Sequence, residues 1–344
     1  MKAVQVTGYG DVDKLQVVDI HIPSPNKGEV LVKVKACAIN NTEIWMREGA
    51  YGTEEKSGWR PEGVQFPRIP GSDITGEIVK VGTDVSENMV GKKVVLFPFT
   101  SSGEEGSEHI SDDMSFIGSE YDGGYAEYVV WPSELCYDMP LPTYEESAVF
   151  SVSGLTAWHM VEQIQAKPSE TIVVTGANGG VGSLNVQIAS KVFGSKVIAI
   201  VGDLGLEDKM KELGATHVLS YRSPNLAEEI IELNGGPVDS VLDVVGDALF
   251  SISLHVLKKG GKFCISGSAG GQKTELDFRT LYLKHITFYG SVLGTREEFK
   301  RMLDAIAEDK IKPVIDRTFP LEQAGEAQTY FKHSGKLGKI VLLP

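Results

Sequence analysis

The chain has 344 residues, 42% hydrophobic and 23% charged. These are ordinary globular values, and the length suggests two domains of roughly 100–200 residues each. A formal net charge of -14 repels polyanions, which argues against a nucleic-acid or anionic-membrane partner. No run of about 18 apolar residues is present. The three cysteines (Cys37, Cys136, Cys264) form no CxxC pair, so a soluble cytoplasmic protein without a disulfide framework or a cysteine zinc knuckle is expected.

The first third alternates strand patterns with Gly/Pro turns. "EVLVKVKACAI" (29–39) alternates apolar and polar residues, as a half-buried strand does, and "GEIVKVGTDV" and "GKKVVLFPF" repeat the theme. A strand-rich domain of barrel or sandwich type is expected here. Two polar, glycine-bearing stretches interrupt it, at 52–67 and 100–124. Loops of that length are functional lids or mobile surface, and for 100–124 plain surface is the expectation.

After about Tyr144 the texture changes. "TIVVTG", "KVIAIVG", "HVLSY", "VDSVLDVVG" and "GKFCISG" are short apolar runs separated by helix-like stretches. This is the rhythm of an α/β doubly wound parallel sheet. A helix after the first run places Val181, Leu184, Ile188 and Val192 on one face. "HITFYGSVLG" reads as a strand near the sheet edge, and "EQAGEAQTYFKHSGKLGKIVLLP" as a helix followed by a strand.

"TIVVTGANGGVGS" (171–183) joins a strand to a helix through a glycine turn. The dinucleotide fingerprint G-x-G-x-x-G has Ala177, Gly179 and Gly182 at its three places, with Gly180 beside Val181 and Gly176 just before. Residues without a Cβ let backbone N–H groups and a helix N-terminus approach a pyrophosphate closely. A nucleotide site is therefore expected. NAD enzymes place an acid at the end of the next strand for the ribose 2′-OH. Here that strand ends at Val201, followed by Gly202 and Asp203. Without a carboxylate at the strand end a 2′-phosphate is not repelled, and Lys209 and Tyr221 can donate to it. NADP is the expected cofactor. NAD stays possible, because a small loop shift would bring Asp203 to the ribose.

These segments resemble the medium-chain dehydrogenase/reductase superfamily, and within it the zinc-free quinone oxidoreductase-like branch. "CAINNTEIWMREGAY", "PRIPGSDITGEIVKVG", "GKKVV", "DGGYAEY", "SGLTAW", "TGANGGVG", "KELGATHVLSYR" and "GKIVLL" follow in family order over nearly the whole chain. The resemblance implies a GroES-like catalytic domain built from 1–150 and 293–344 around a Rossmann NAD(P)-binding domain, 151–292. Where zinc-dependent members carry their metal ligands, this chain has Asn40, Ser72 and Val152. Zinc wants thiolate, imidazole or carboxylate, so no metal is expected there. The structural zinc lobe is replaced by the cysteine-free stretch 100–124, whose His109, Asp112 and Asp113 are expected to form a solvated acidic loop.

Without a Lewis acid, reduction of an activated double bond is easier than alcohol deprotonation. Hydride goes to the β-carbon of a conjugated carbonyl, and the protein stabilises the enolate oxygen. The implied function is an NADPH-dependent reductase of quinones or α,β-unsaturated carbonyls acting on a small molecule. The alternatives are a zinc-independent alcohol dehydrogenase and a non-catalytic NADPH-binding protein. Asn40 can donate its amide N–H to the carbonyl or merely close a loop, and Asn41 and Glu43 fix the turn around it. By resemblance Trp45 lines the substrate pocket, or else is core, and Ser72 joins Asn40. Thr156 lies near the nicotinamide, or caps a helix. Val245 and Gly246 end "VDSVLDVVG", while Ser266, Gly267, Ser268, Gly290 and Ser291 end further strands, where such folds bind ligands. Tyr221 takes a family position for the adenosine phosphate, and Lys336 and Lys339 are further phosphate candidates. His159 is expected to be packing. A homodimer is expected from the resemblance and from the apolar edge strand.

Overall fold

The computed structural model describes residues 1–50, 52–53, 56–57, 63–332 and 335–344, with 52–53 and 56–57 as backbone alone. Residues 54–55 and 58–62 of the stretch 52–67 therefore fall outside the described residues.

Two sheets organise the chain. In the first, strands run in the order Cys136–Asp138, Lys93–Leu96, Asp73–Val81, Glu29–Ala38, Lys339–Leu343 and Ile315–Pro320, and Tyr128–Pro132 also pairs with Glu29–Ala38. The alternation read in "EVLVKVKACAI" is the cause. Val30, Val32, Val34, Ala36 and Ala38 are all buried, whereas Lys33 is exposed. At its two ends this strand is covered on both faces, so Leu31 and Cys37 are buried as well. The C-terminal strand Lys339–Leu343 closes this sheet by pairing Val341 with Ala38 and Leu342 with Cys37. The chain thus returns to its N-terminal part, carrying Lys339 with it.

The second sheet has six strands, all parallel, in the order His217–Ser220, Lys196–Val201, Thr171–Val174, Val238–Asp243, Leu257–Ile265 and Thr287–Gly290. Numbered along this sheet the order is 3-2-1-4-5-6, the doubly wound arrangement. Thr171–Val174 and Lys196–Val201 are near-continuous apolar runs because helices cover both faces of such a sheet. Between Thr171–Val174 and Val238–Asp243 the winding reverses, which opens a crevice beyond their carboxyl ends. Thr287–Gly290 is the edge strand, as the sequence suggested.

The stretch 100–124 departs from the surface loop expected of it. Phe99–Thr100 and Ser115–Phe116 pair as a short hairpin, and Met114, Phe116 and Ile117 are buried in the main core. Glu108 is buried too, and the His109 ring packs edge-on against His159 at 4.6 Å. Its polar composition conceals a few apolar anchors that fold it onto the domain.

Candidate active site

A cleft of about 850 Å³ runs from the glycine turn to the helix Asn41–Glu48. One end is lined by Gly179, Gly180, Val181 and Gly182. Val245, Ser266, Gly267, Ser268, Gly290, Ser291 and Lys339 continue it. The other end is lined by Asn40, Trp45 and Thr156 together with Ile39, Phe116, Val152 and Leu293. The expected cofactor and substrate groups thus meet in one cavity, of a size suited to organic ligands.

The glycine turn is a cradle that side chains would fill. A Cβ on Gly182 would stand 2.2 Å from Gly176 O, and one on Gly180 would stand 2.6 Å from Lys339 Cδ. Gly179 caps the helix Gly180–Gln187, whose first N–H groups have no acceptor within the helix. These donors and the helix dipole fit a pyrophosphate. The residues therefore fit a dinucleotide, which supplies hydride chemistry when bound.

Other expected positions do not reach the cleft. Ala177 is fully buried and its N–H bonds Ile200 O, so it serves the turn. The Gly246 N–H is held by Asp243 Oδ2 at 2.7 Å, again a structural tie. Gly202, Asp203, Lys209 and Tyr221 lie outside the cleft lining, at or beyond the end of the second parallel strand. There Asp203 accepts from Gly205 N at 2.8 Å, engaging its carboxylate in the local turn. Beside them stands Arg222, which sequence reasoning missed although it follows Tyr221 directly in "SYR". Its Nη1 donates to Gly202 O at 2.7 Å, and its guanidinium lies 5.2 Å from the Tyr221 ring centre.

Behind the cleft lies a buried polar network. Asn40 precedes the helix Asn41–Glu48 as its N-cap, and Glu43 reaches back to accept from Asn40 N at 2.6 Å. Glu43 also accepts from Ser72 N at 3.1 Å and Ser72 Oγ at 2.5 Å. Burial pushes the Glu43 carboxyl above its ordinary range, against these hydrogen bonds and the charge of Lys339. Ser72 is wholly buried, so it touches Asn40 from behind and has no surface in the cleft. Asp73 takes the N–H of Val152 on one oxygen; its other oxygen pairs with Lys339 Nζ at 2.8 Å. Ser153 donates to Asn40 Oδ1 at 3.0 Å and accepts from Lys339 at 2.9 Å. Lys339 is 3% exposed, which sequence reasoning about an exposed phosphate-binding lysine did not foresee.

Three positions bear on whether a metal fits. Asn40, Ser72 and Val152 offer an amide, a hydroxyl and a hydrocarbon. The nearby carboxylates are already used, Glu43 by Ser72 and Asn40, and Asp73 by Val152, Lys339 and Asn40. This donor set does not fit a catalytic zinc. Among the described residues no group of three His, Cys, Asp or Glu side chains is arranged to hold a metal ion.

His159 packs as expected but with a charged partner. Its Nδ1 lies 2.8 Å from Glu298 Oε1, and Glu298 also accepts from Thr295 N at 2.7 Å. Burial alone would raise the Glu298 carboxyl. The hydrogen bond and charge of His159 outweigh it and hold the group below its ordinary range.

Comparison with known proteins agrees with this architecture. The family model "Alcohol dehydrogenase GroES-like domain" matches residues 26–141, and "Zinc-binding dehydrogenase" matches residues 180–308. The NAD-dependent alcohol dehydrogenase of Sulfurisphaera tokodaii is 32% identical over 100% of both chains. The quinone oxidoreductase of Mus musculus is 31% identical over 100% of this chain and 98% of its own. A solved structure from Sinorhizobium meliloti 1021 superposes with a TM-score of 0.95 at 38% identity, covering 100% of this chain and 96% of that one. The sheet order, the glycine cradle and these matches together make the chain a member of the medium-chain dehydrogenase/reductase superfamily, an oxidoreductase with a nicotinamide-cofactor site.

Proposed function

We propose that the chain is an NADPH-dependent reductase of quinones or α,β-unsaturated carbonyls that transfers hydride without a metal. One observation carries this reading. At the metal-ligand positions the chain has a hydrogen-bonding amide, held by Lys339, Ser153 and Asp73. Such a site polarises a carbonyl but does not acidify an alcohol as a metal would. The apolar lining of Ile39, Trp45, Phe116, Val152 and Leu293 suits a hydrophobic enone or quinone. The substrate oxygen sits against the Asn40 N–H and its β-carbon faces the nicotinamide. Thr156 lies alongside.

The NADPH preference rests on the end of the second parallel strand. Val201 is buried there, no acid follows directly, and Asp203 is turned to Gly205 N. Arg222 beside Tyr221 adds a cation where a 2′-phosphate would lie. The catalytic unit is taken as 1–150 and 293–344 around a cofactor unit, 151–292, supported by the pairing of Lys339–Leu343 with Glu29–Ala38. A homodimer is proposed through the edge strand Thr287–Gly290, flanked by the exposed Phe278, Tyr282 and Leu283.

A second reading, zinc-independent alcohol oxidation, is favoured by the alcohol dehydrogenase relatives. Steady-state turnover with a panel of enones, quinones and alcohols, using NADPH and NADH in turn, separates the two. Faster turnover of alcohols than of any enone or quinone would replace the first reading with the second.

A further inference from the structure

The chain carries a net charge of -14, yet no carboxylate lines the cleft among the described residues. Its charged lining is Lys332, Lys336 and Lys339, all from the C-terminal end. That polarity suits a pyrophosphate, but the three ammonium groups differ in what they have left to donate. An ammonium has three protons and no acceptor. Lys339 directs its three at buried oxygens: Asn40 Oδ1, Ser153 Oγ at 2.9 Å and an Asp73 oxygen at 2.8 Å. Asp73 is wholly buried, so drawing Lys339 toward a phosphate would strand a carboxylate away from water. Lys332 is exposed and paired with Glu48.

Lys336 stands differently. Its Nζ donates to Phe331 O and lies over the Phe331 ring, 4.1 Å from the ring centre. Among the described residues no carboxylate forms an ion pair with it. Burial pushes its ammonium below the ordinary range, and the charge of Asp316 only partly offsets this. Asp316 is itself engaged by Tyr330 Oη at 2.8 Å and Leu337 N at 3.1 Å. The backbone around Lys336 is docked on the glycine turn. Asn178 Nδ2 donates to Lys336 O at 2.9 Å, and Gly338 N donates to Asn178 O at 2.8 Å. Asn178 directly precedes Gly179, the cap of the helix Gly180–Gln187. A flexible four-carbon stem thus starts from the rim of the phosphate cradle.

We propose that Lys336 is the cation of the pyrophosphate site: as a dinucleotide enters, its ammonium leaves Phe331 O and donates to a phosphate oxygen beside the helix N-terminus, while Lys339 stays in its buried pair with Asp73. This rests on the glycine turn as the dinucleotide site. It assigns to Lys336 the phosphate contact that the sequence left open between the two lysines. It depends on neither the substrate nor the NADPH preference, because NADH and NADPH share the pyrophosphate. No proton is transferred. A neutral carbonyl is exchanged for a charged oxygen, the stronger acceptor for an ammonium.

Fluorescence titration with NADH and NADPH tests this. Lys336→Met keeps the stem over Phe331 and should raise both Kd values by roughly 10- to 100-fold, the range for a hydrogen bond between charged groups. Lys336→Arg keeps the charge and should stay within about fivefold of wild type. Added salt should weaken binding to the wild type more steeply than to Lys336→Met, a difference that a merely structural loss would not produce. Lys339→Met combined with Asp73→Asn removes the buried pair without stranding a charge, and should leave both Kd values within about threefold. The reverse pattern, with Kd raised by that pair and unchanged by Lys336→Met, would overturn the assignment. A rise confined to NADPH would place Lys336 at the 2′-phosphate and overturn it too. A wild-type chain that binds neither dinucleotide would remove the cofactor site itself.

A second measurement needs no substitution. Reductive methylation read by mass spectrometry should mark Lys336 in the free chain and spare it at saturating NADH, with Lys339 unmarked in both. Lys336 marked equally with and without NADH would contradict the exchange.

Discussion

Asn40 serves two elements at once. Its backbone N–H closes the first turn of the helix Asn41–Glu48 through Glu43, while its side chain, at the edge of the cleft, is held by Lys339, Ser153, Ser72 and Asp73. Asn40→Ala is therefore expected to fold, to bind NADPH with unchanged Kd, and to lose turnover roughly 10- to 1000-fold. Fluorescence titration beside steady-state kinetics checks both halves. Gly182→Ala should do the reverse. Its Cβ would meet backbone atoms of Gly176 and Ala177 that cannot move aside cheaply. NADPH Kd should rise at least about tenfold, or 1.4 kcal/mol, and a variant with wild-type affinity would place the phosphates elsewhere. Val201→Asp should narrow the gap between NADPH and NADH by adding the missing carboxylate. Residues in contiguous motifs were legible in the sequence. The glycines announce themselves by spacing, and Asn40 by its place in "CAINNTEIW". The burial of Lys339 was not legible because its amide partner lies 299 positions away. Nothing local distinguishes a buried, paired lysine from a solvated one.

At the scale of elements, periodicity carried the fold. Every parallel strand read from a short apolar run is present, and so is the terminal helix–strand pair, Ala324–Phe331 and Lys339–Leu343. The hairpin within 100–124 was not legible, since its few apolar anchors are diluted by polar residues. That segment brings His109 against His159, which pairs with Glu298 at the start of the helix Arg296–Ala307. Burial lowers the His109 pKa, and the charge of His159 lowers it further. The pH dependence follows from Glu298, whose carboxyl lies below its ordinary value of 4.5 in the folded chain. A depressed carboxylate contributes stability that is full above the unfolded pKa and is lost as pH falls through the folded one. Glu298→Gln keeps the cap pattern but weakens the bond to His159, at a cost of about 1–2 kcal/mol at pH 7. Urea denaturation at pH 7, 5 and 3 should show that difference shrinking toward the acid end. A constant difference would mean that Glu298 is not charged against His159.

At the scale of the whole molecule, the two sheets hold the cleft between them, and the return of Lys339–Leu343 to the first sheet ties the network to the glycine turn. Among the described residues no helix is long and apolar enough to cross a membrane. The edge strand Thr287–Gly290 and the exposed Phe278, Tyr282 and Leu283 form an apolar margin that a second copy would cover. Sedimentation should give about twice the chain mass of 37.3 kDa at micromolar concentration. Tyr282→Glu with Leu283→Glu should return it to the monomer, and a monomeric wild type would refute this interface.

The reaction itself turns on whether hydride reaches a conjugated carbonyl under hydrogen bonds alone. The direct measurement is NADPH oxidation with trans-2-hexenal and a simple quinone, before and after exhaustive chelation, beside elemental analysis of the same sample. Turnover unchanged by the chelator, in protein without stoichiometric zinc, is the expected result. About one zinc per chain, lost together with activity and restored by adding it back, would contradict a site built on Asn40, Ser72 and Val152.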